Sequence, residues 1–464
     1  MTQTAGTGII DELRTTFGGT VFGPADEGYD DARRVWNAEI DRRPAVLARV
    51  QDAEDVRAAI AFAVRHDLEI AVRGGAHSVA GDSAVDDGLV IDLSRLNQVT
   101  VDPAAKTARV GGGALLADLD AATQAHGLAV PAGMVSHTGV GGLTLGGGMG
   151  WLTRLHGLSI DNLVSAEVVV ADGRIVRTSE DENADLFWAL RGGGGNFGVV
   201  TEFEFRLHEV GPIAHYGMLF WEPAHGAEVL ELAREVIPSL PPEINVVVGG
   251  LNAPPAPFVP EHLHFQPGYA LIVTGFGSAE QHAEVLDKLR AALPPQVDFA
   301  APMPYTAVQQ LIDEPTAWGA YTYEKGAYLE DLTDDAIAVI TDYLGRKQSP
   351  LSLNLFYRLD NAYSAVDEDA TAFSGGRSPR YASFIVGVSP TPDGIAGERA
   401  WARSYWNALV PHAIGTGSYV NSIGEVDDDR VKVSYGAKYD RLAKIKAEYD
   451  PGNIFHRNAN IKPA

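Results

Sequence analysis

Cysteine is absent from the 464-residue chain, which excludes disulfides, thiolate metal centres, iron–sulfur clusters and any thiol nucleophile. Basic residues are scarce as well: 36 lysines and arginines stand against 61 aspartates and glutamates, a formal charge of −25. That deficit removes the basic footprint that nucleic-acid binding needs and argues against docking on anionic lipid. No apolar run approaches the roughly 18 residues of a membrane span. Met1–Thr20 lacks the basic stretch followed by an apolar one that marks a secretory leader. The expectation is a soluble protein of the cytoplasm. G-x-x-x-x-G-K-[ST] and G-x-S-x-G are also missing, so neither a P-loop nor a nucleophile elbow is present.

What remains is a globular composition, 45% hydrophobic and 21% charged, on a chain long enough for two or three domains. Ala45–Val50 predicts a strand, and Asp52 can cap a helix with Val56, Ala59, Ile60 and Ala63 on one face. Glu69–Val72, Leu89–Leu93 and Ala108–Val110 predict further strands, and Ala114–His126 a helix stopped by Gly127. Val168–Val170 and Ile175–Val176 flank Asp172-Gly173, the signal of a β-hairpin. Phe203, Phe205 and Leu207 alternate along a strand that closes this region near Val210. Past Gly211, prolines gather at 238–242 and 254–260, and strands such as Tyr269–Thr274 alternate with helices such as Ala279–Leu293. This reads as a second α+β domain. Glu261-His262-Leu263-His264 sets two histidines at i, i+2, suited to one face of a strand. With no third ligand nearby, no metal is expected there.

Glycine is the surplus residue, 50 in all, and eight of them fall between Gly133 and Gly150. Such density predicts neither a stable helix nor a central strand. The interleaved Met134, Val135, Val140, Leu143, Leu145, Met149, Trp151 and Leu152 also exclude a polar, mobile linker. A buried loop with free backbone amides suits a diphosphate. A G-x-G-x-x-G does occur, at Gly193–Gly198, but it follows a predicted helix and precedes a strand. A Rossmann turn needs the opposite order, so an NAD(P) site is rejected.

Three sets of residues carry a family resemblance. They are Arg73-Gly74-Gly75-Ala76-His77-Ser78; Pro131-Ala132-Gly133 with Thr138-Gly139-Val140-Gly141-Gly142 and on to Gly148; and Asp185-Leu186-Phe187-Trp188 through Gly198. Together they resemble the FAD-linked oxidases of the vanillyl-alcohol-oxidase type. Tyr449-Asp450-Pro451-Gly452-Asn453-Ile454-Phe455, with Asn458-Ala459-Asn460-Ile461, narrows the likeness to the berberine-bridge-enzyme-like branch. It implies an α+β fold, with a two-lobed FAD-binding domain of the vanillyl-alcohol-oxidase type and a substrate domain whose antiparallel sheet is covered by helices. Residues 1–211 and 416–464 would form the first, and 212–415 the second.

The same likeness makes His77 the residue bonded to the 8α-methyl carbon of FAD. Bicovalent relatives add a cysteine where this chain has Val135, so a second link is impossible and a less constrained flavin of lower potential is expected. Family flavin contacts carry over to Arg73, Gly74, Gly75, Ala76 and Ser78, and to Ser136, His137, Gly141, Gly142, Gly147, Gly150, Trp151 and Val200. Asn421, Asn458 and Asn460 complete them. Thr138 stands where relatives control oxygen access; it has the shape of the valine that admits oxygen, which implies an oxidase.

The base is less clear in the sequence. Relatives place a tyrosine after the asparagine of Tyr-x-Asn, where this chain has Ser422, a poor base without an adjacent histidine or carboxylate. The glutamate that some relatives carry in the substrate domain looks absent, with Ala365 near its place. Tyr419, Tyr357 and Tyr363 are the phenols expected near the flavin, Tyr419 first. The implied activity is oxidation of a C–OH or C–NH carbon of a small molecule, with oxygen reoxidising the flavin to give hydrogen peroxide. A dehydrogenase of the same fold, or a flavoprotein that only stores FAD, remains the alternative.

Overall fold

The computed structural model describes residues 7–415, 417–424 and 428–464. Three principal sheets organise the chain. The first has four strands in the order Thr20–Phe22, Val46–Arg49, Leu89–Asp92, Ile70–Arg73, the last three mutually parallel. Helix Ala53–Arg65 covers it, started by the Asp52 side chain, which accepts from the Asp55 amide. The second is antiparallel, in the order Val99–Asp102, Thr107–Gly111, Val199–Arg206, Leu163–Val169, Ile175–Ser179. Its last pair is the hairpin at Asp172-Gly173, where Gly173 takes φ +84°.

The third sheet is a seven-stranded antiparallel one. Its order is Val297–Pro304, Ile213–Trp221, Pro267–Gly275, Ile244–Asn252, Leu353–Leu359, Arg380–Ser389, Tyr321–Leu329. Alternation gives it two unlike faces. Trp221, Val248, Leu271, Val273, Phe356 and Ile385 pack in one core with helices Gly226–Val236, Ala279–Ala292, Asp334–Leu344 and Ile395–Leu409. The opposite face looks toward the glycine-rich segments. This is an α+β protein.

Two expectations change. Within the glycine-rich stretch, Val140–Gly146 is a seven-residue helix. Tertiary packing overrides the poor propensity of its glycines: Val140 and Leu145 are buried in the core, and a Cβ on Gly141 would press on the Gly112 carbonyl at 2.8 Å. Glu261–Leu263 is a 3₁₀ turn, so His262 and His264 share no strand face. No group of metal-ligating side chains occurs among the described residues, and none of their helices is long and apolar enough to cross a membrane.

Helix Tyr439–Tyr449 packs with residues 108–207 in a single core. A buried ion pair fixes its end. The Lys446 ammonium donates to the Asp450 carboxylate at 2.6 Å, to the Asn196 carbonyl at 2.6 Å and to the Phe455 carbonyl at 2.9 Å. Asp450 in turn accepts from the Ile454 and Phe455 amides. The G-x-G-x-x-G loop is thereby tied to the C-terminal segment. Lys446→Met leaves a fully buried carboxylate without its cation and is expected to lower stability by about 3–5 kcal/mol, measured by urea unfolding.

Candidate active site

Strand Ile70–Arg73 runs into a tight turn in which Ala76 holds φ +54°, a left-handed conformation that an alanine adopts only when its surroundings impose it. They do so here. A Cβ on Gly75 would overlap the Gly139 backbone, so the two glycine segments meet main chain to main chain. The second segment is anchored by helix Leu116–Gln124, whose Leu116 and Ala117 amides donate to the Thr138 and Ser136 carbonyls at 2.9 and 2.8 Å. The result is a cavity of about 1190 Å³ between these segments and the free face of the seven-stranded sheet.

Most of the residues singled out in the sequence line it: Gly74, Gly75, Ala76, His77, Ser78, Val135, Thr138, Gly141, Gly142, Trp151, Val200, Asn421 and Asn458. Tyr357 and Tyr419 do as well. Others support the wall from behind. Arg73 donates to the Ala32 carbonyl. Ser136 donates through its amide (2.8 Å) and hydroxyl (2.6 Å) to the Asp313 carboxylate. Gly147 packs on Phe373 and Tyr419, and Gly150 on the Ala132 carbonyl. Tyr363 is absent from the lining; it is fully buried and its hydroxyl donates to the Gly376 carbonyl.

His77 is held by two rings. It stacks on Trp36 at 4.3 Å and 15°, and its Nε2 lies 3.1 Å from Nδ1 of His137. Burial, and then the neighbouring His137, push its pKa down to about 3, so the ring is neutral at physiological pH. His137 lies behind it with Nε2 buried and unpaired. On the cavity wall Asn458 Oδ1 and Arg457 Nε are likewise buried without a partner; Asn460 Oδ1 and Thr144 Oγ1 are too, but these residues do not line it. A Cβ on Gly142 would meet nothing within 4 Å. Free amides, unpaired buried acceptors and an apolar floor are what a dinucleotide with a flat ring system needs, and the residues present fit FAD.

The sequence reading missed Glu324. It sits on edge strand Tyr321–Leu329 and lines the cavity. Two connections position it. Asn37 donates to the Thr322 carbonyl (2.9 Å) and accepts from the Thr322 amide (3.0 Å), while also donating to the Val79 carbonyl beyond the His77 turn (3.0 Å). On the other side Lys325 bridges Ile423 of the C-terminal segment. That bridge brings Ser422 to the Glu324 carboxyl, with which it hydrogen-bonds. Burial raises the Glu324 pKa to about 7, against the smaller lowering effect of Ser422. Ser422, read from the sequence as lacking a carboxylate, has one.

Tyr419 is not in a strand; it precedes the single turn Val420–Ser422. Its phenol oxygen accepts from the Gly148 amide at 3.0 Å and from Asn421 Nδ2 at 2.9 Å. Burial pushes its pKa up to about 12, and that of Tyr357 rises too, by burial and then by Glu324.

Residues 44–179 match the family described as FAD binding domain, and residues 418–462 the one described as berberine and berberine like. The chain is 31% identical to an FAD-linked oxidoreductase of Dictyostelium discoideum, over 98% of this chain and 97% of that one. The chain belongs to the berberine-bridge-enzyme-like family. It is an FAD-dependent oxidoreductase. A second relative at 31% identity, covering 96% of this chain and 97% of its own, is the (R)-6-hydroxynicotine oxidase of Paenarthrobacter nicotinovorans. Among solved structures, the glucooligosaccharide oxidase of Acremonium strictum, which carries a 6-S-cysteinyl, 8α-N1-histidyl FAD, superposes with a TM-score of 0.85 at 25% identity, over 98% of this chain and 99% of that one.

Proposed function

We propose that the protein is an oxidase that removes hydride from a C–OH or C–NH carbon of a small organic molecule, with oxygen as the final acceptor and hydrogen peroxide as the product. The observation that carries the reading is the Glu324 carboxyl, facing the glycine-lined cavity at a pKa of about 7. FAD, when bound, supplies the two-electron acceptor. Glu324 takes the proton from the substrate hydroxyl or amine, and a base whose pKa lies near the working pH is the most effective one. Ser422 donates to that carboxylate and orients it. Tyr419, whose oxygen receives two donors, positions the Gly148 turn and Asn421. Its raised pKa makes it a poorer base than Glu324.

The flavin is held by His77 alone. His77 Nε2 faces His137 Nδ1 at 3.1 Å and the ring also meets the residue's own carbonyl, so one ring nitrogen would exchange its present partner for the covalent bond to FAD. The division into 1–211, 212–415 and 416–464 is supported by the core that residues 108–207 share with 431–461.

Thr138 lines the cavity without the bulk of a leucine, which supports oxygen access. After anaerobic photoreduction, air should restore the oxidised spectrum within seconds with one equivalent of peroxide. Thr138→Leu should slow that recovery while leaving anaerobic reduction intact. A native protein that stays reduced in air for many minutes would be a dehydrogenase using another acceptor.

A further inference from the structure

We propose that the substrate is an amphipathic, ring-bearing alcohol or amine with one polar end and an apolar body larger than a single ring, and neither a carbohydrate nor a carboxylate. This rests on the oxidase reading above and deepens it.

Four polar groups gather at one end of the cavity, while Tyr216 and Asn252 line the sheet elsewhere. Glu324 and Thr322 share a face of the edge strand, Ser422 adjoins the carboxyl, and Tyr357 lies close enough for the Glu324 charge to raise its pKa. Thr322 Oγ1 is buried without a partner and is free to bond one substrate group. Away from that end the wall is mainly apolar, interrupted by the Tyr216 phenol beside Met218. Tyr357 pairs in register with Val247, Val247 with Ile272, Ile272 with Met218 and Met218 with Phe299. That row crosses five adjacent strands, about 19 Å at the usual ~4.8 Å spacing. Rings cluster where the row meets the polar end: Tyr357 and Phe384 lie edge to face at 5.0 Å, and Phe384 and Tyr419 at 6.2 Å. At the far end Phe258 stacks on Phe299 at 4.2 Å.

A sugar lying along this row would bury most of its hydroxyls against valine, isoleucine and methionine, and the Tyr216 phenol could pair with only part of them. A carboxylate finds no cation there. Arg457 is the one lysine or arginine among the described lining residues, and it belongs to the C-terminal segment, where it pairs with Glu69 at 3.1 Å. A protonated amine, by contrast, would meet the Glu324 carboxylate.

The test uses the flavin-loaded protein with 1-(2-naphthyl)ethanol, 1-(2-naphthyl)ethylamine, cellobiose and lactate, and reads two signals. One is the saturable perturbation of the visible flavin spectrum by each probe; the other is the anaerobic rate of flavin bleaching. The naphthyl probes should perturb and bleach, with an apparent second-order rate at least ~100-fold above those of cellobiose and lactate. Met218→Asp should weaken the naphthyl perturbation at least tenfold with the bound flavin content unchanged. Faster bleaching by cellobiose or lactate overturns the substrate class and leaves the oxidase reading standing. Absence of any naphthyl perturbation, or its survival in Met218→Asp, also overturns the class. Saturable, Met218-dependent perturbation without bleaching by any alcohol or amine upholds the bound class and overturns the oxidase reading instead.

Discussion

Glu324→Gln is expected to lower the rate of anaerobic flavin reduction by ~10²–10⁴-fold, the usual contribution of a positioned general base. The substitution keeps the size of the side chain and its bond to Ser422, so the cavity and the bound flavin should survive. Only the capacity to take a proton is lost. The pH profile supplies the second readout. Glu324 acts as a carboxylate, and its pKa is raised to about 7. The reduction rate of the native protein should therefore rise with pH through about 7 and level off above it, and the residual rate of Glu324→Gln should lack that step. The same shift bears on stability. The folded state holds the proton between the ordinary glutamate pKa of ~4.3 and about 7. In that window it binds more protons than the unfolded chain, and the Glu324 contribution falls as pH rises. A near-native reduction rate in Glu324→Gln would move the base to Tyr357 or Tyr419.

His77→Ala should abolish covalent flavin altogether. The native protein is expected to keep its yellow colour in the acid-precipitated pellet, and the variant to release FAD into the supernatant. The chemistry requires a neutral imidazole with an available lone pair. The ring has it, because burial and His137 bring its pKa down to about 3. Trp36 and His137 fix its plane. The alanine variant leaves the glycine segments unchanged, so reversible FAD binding should persist and can be followed by fluorescence. With no cysteine in the chain, no second bond can mask the result. His137→Ala removes the partner of His77 Nε2 and should slow attachment without preventing it, seen as partial flavin incorporation by intact mass. Flavin that remains attached in His77→Ala would place the bond on another residue.

Local chemistry made much of this molecule legible. Asp52 as a helix cap and Asp172-Gly173 as a hairpin are encoded within a few residues and form as read. The helix read as Ala114–His126, by contrast, runs only from Leu116 to Gln124, with Gly127 left-handed three residues beyond its end. The reversed order around Gly193–Gly198 was equally local: helix Ala184–Leu190 precedes it and strand Val199–Arg206 follows. The Val140–Gly146 helix was not legible. Its glycines argue against a helix until the backbone of Gly112 and the side chain of Asn421 close on them.

The sequence by itself determined the cofactor class, the candidate anchor His77 and the impossibility of a cysteinyl link, because each depends on residue identity in a short motif or on the absence of a residue type. The tertiary structure alone decided which carboxylate faces the cavity. Glu324 is one of 61 acidic residues, and nothing beside it in sequence marks it out. Its environment is assembled by Asn37 from one end of the chain and by Ile423 and Ser422 from the other. Desolvation, which sets its pKa, is a property of what surrounds a group in space, and those surroundings exist only once the three segments have come together.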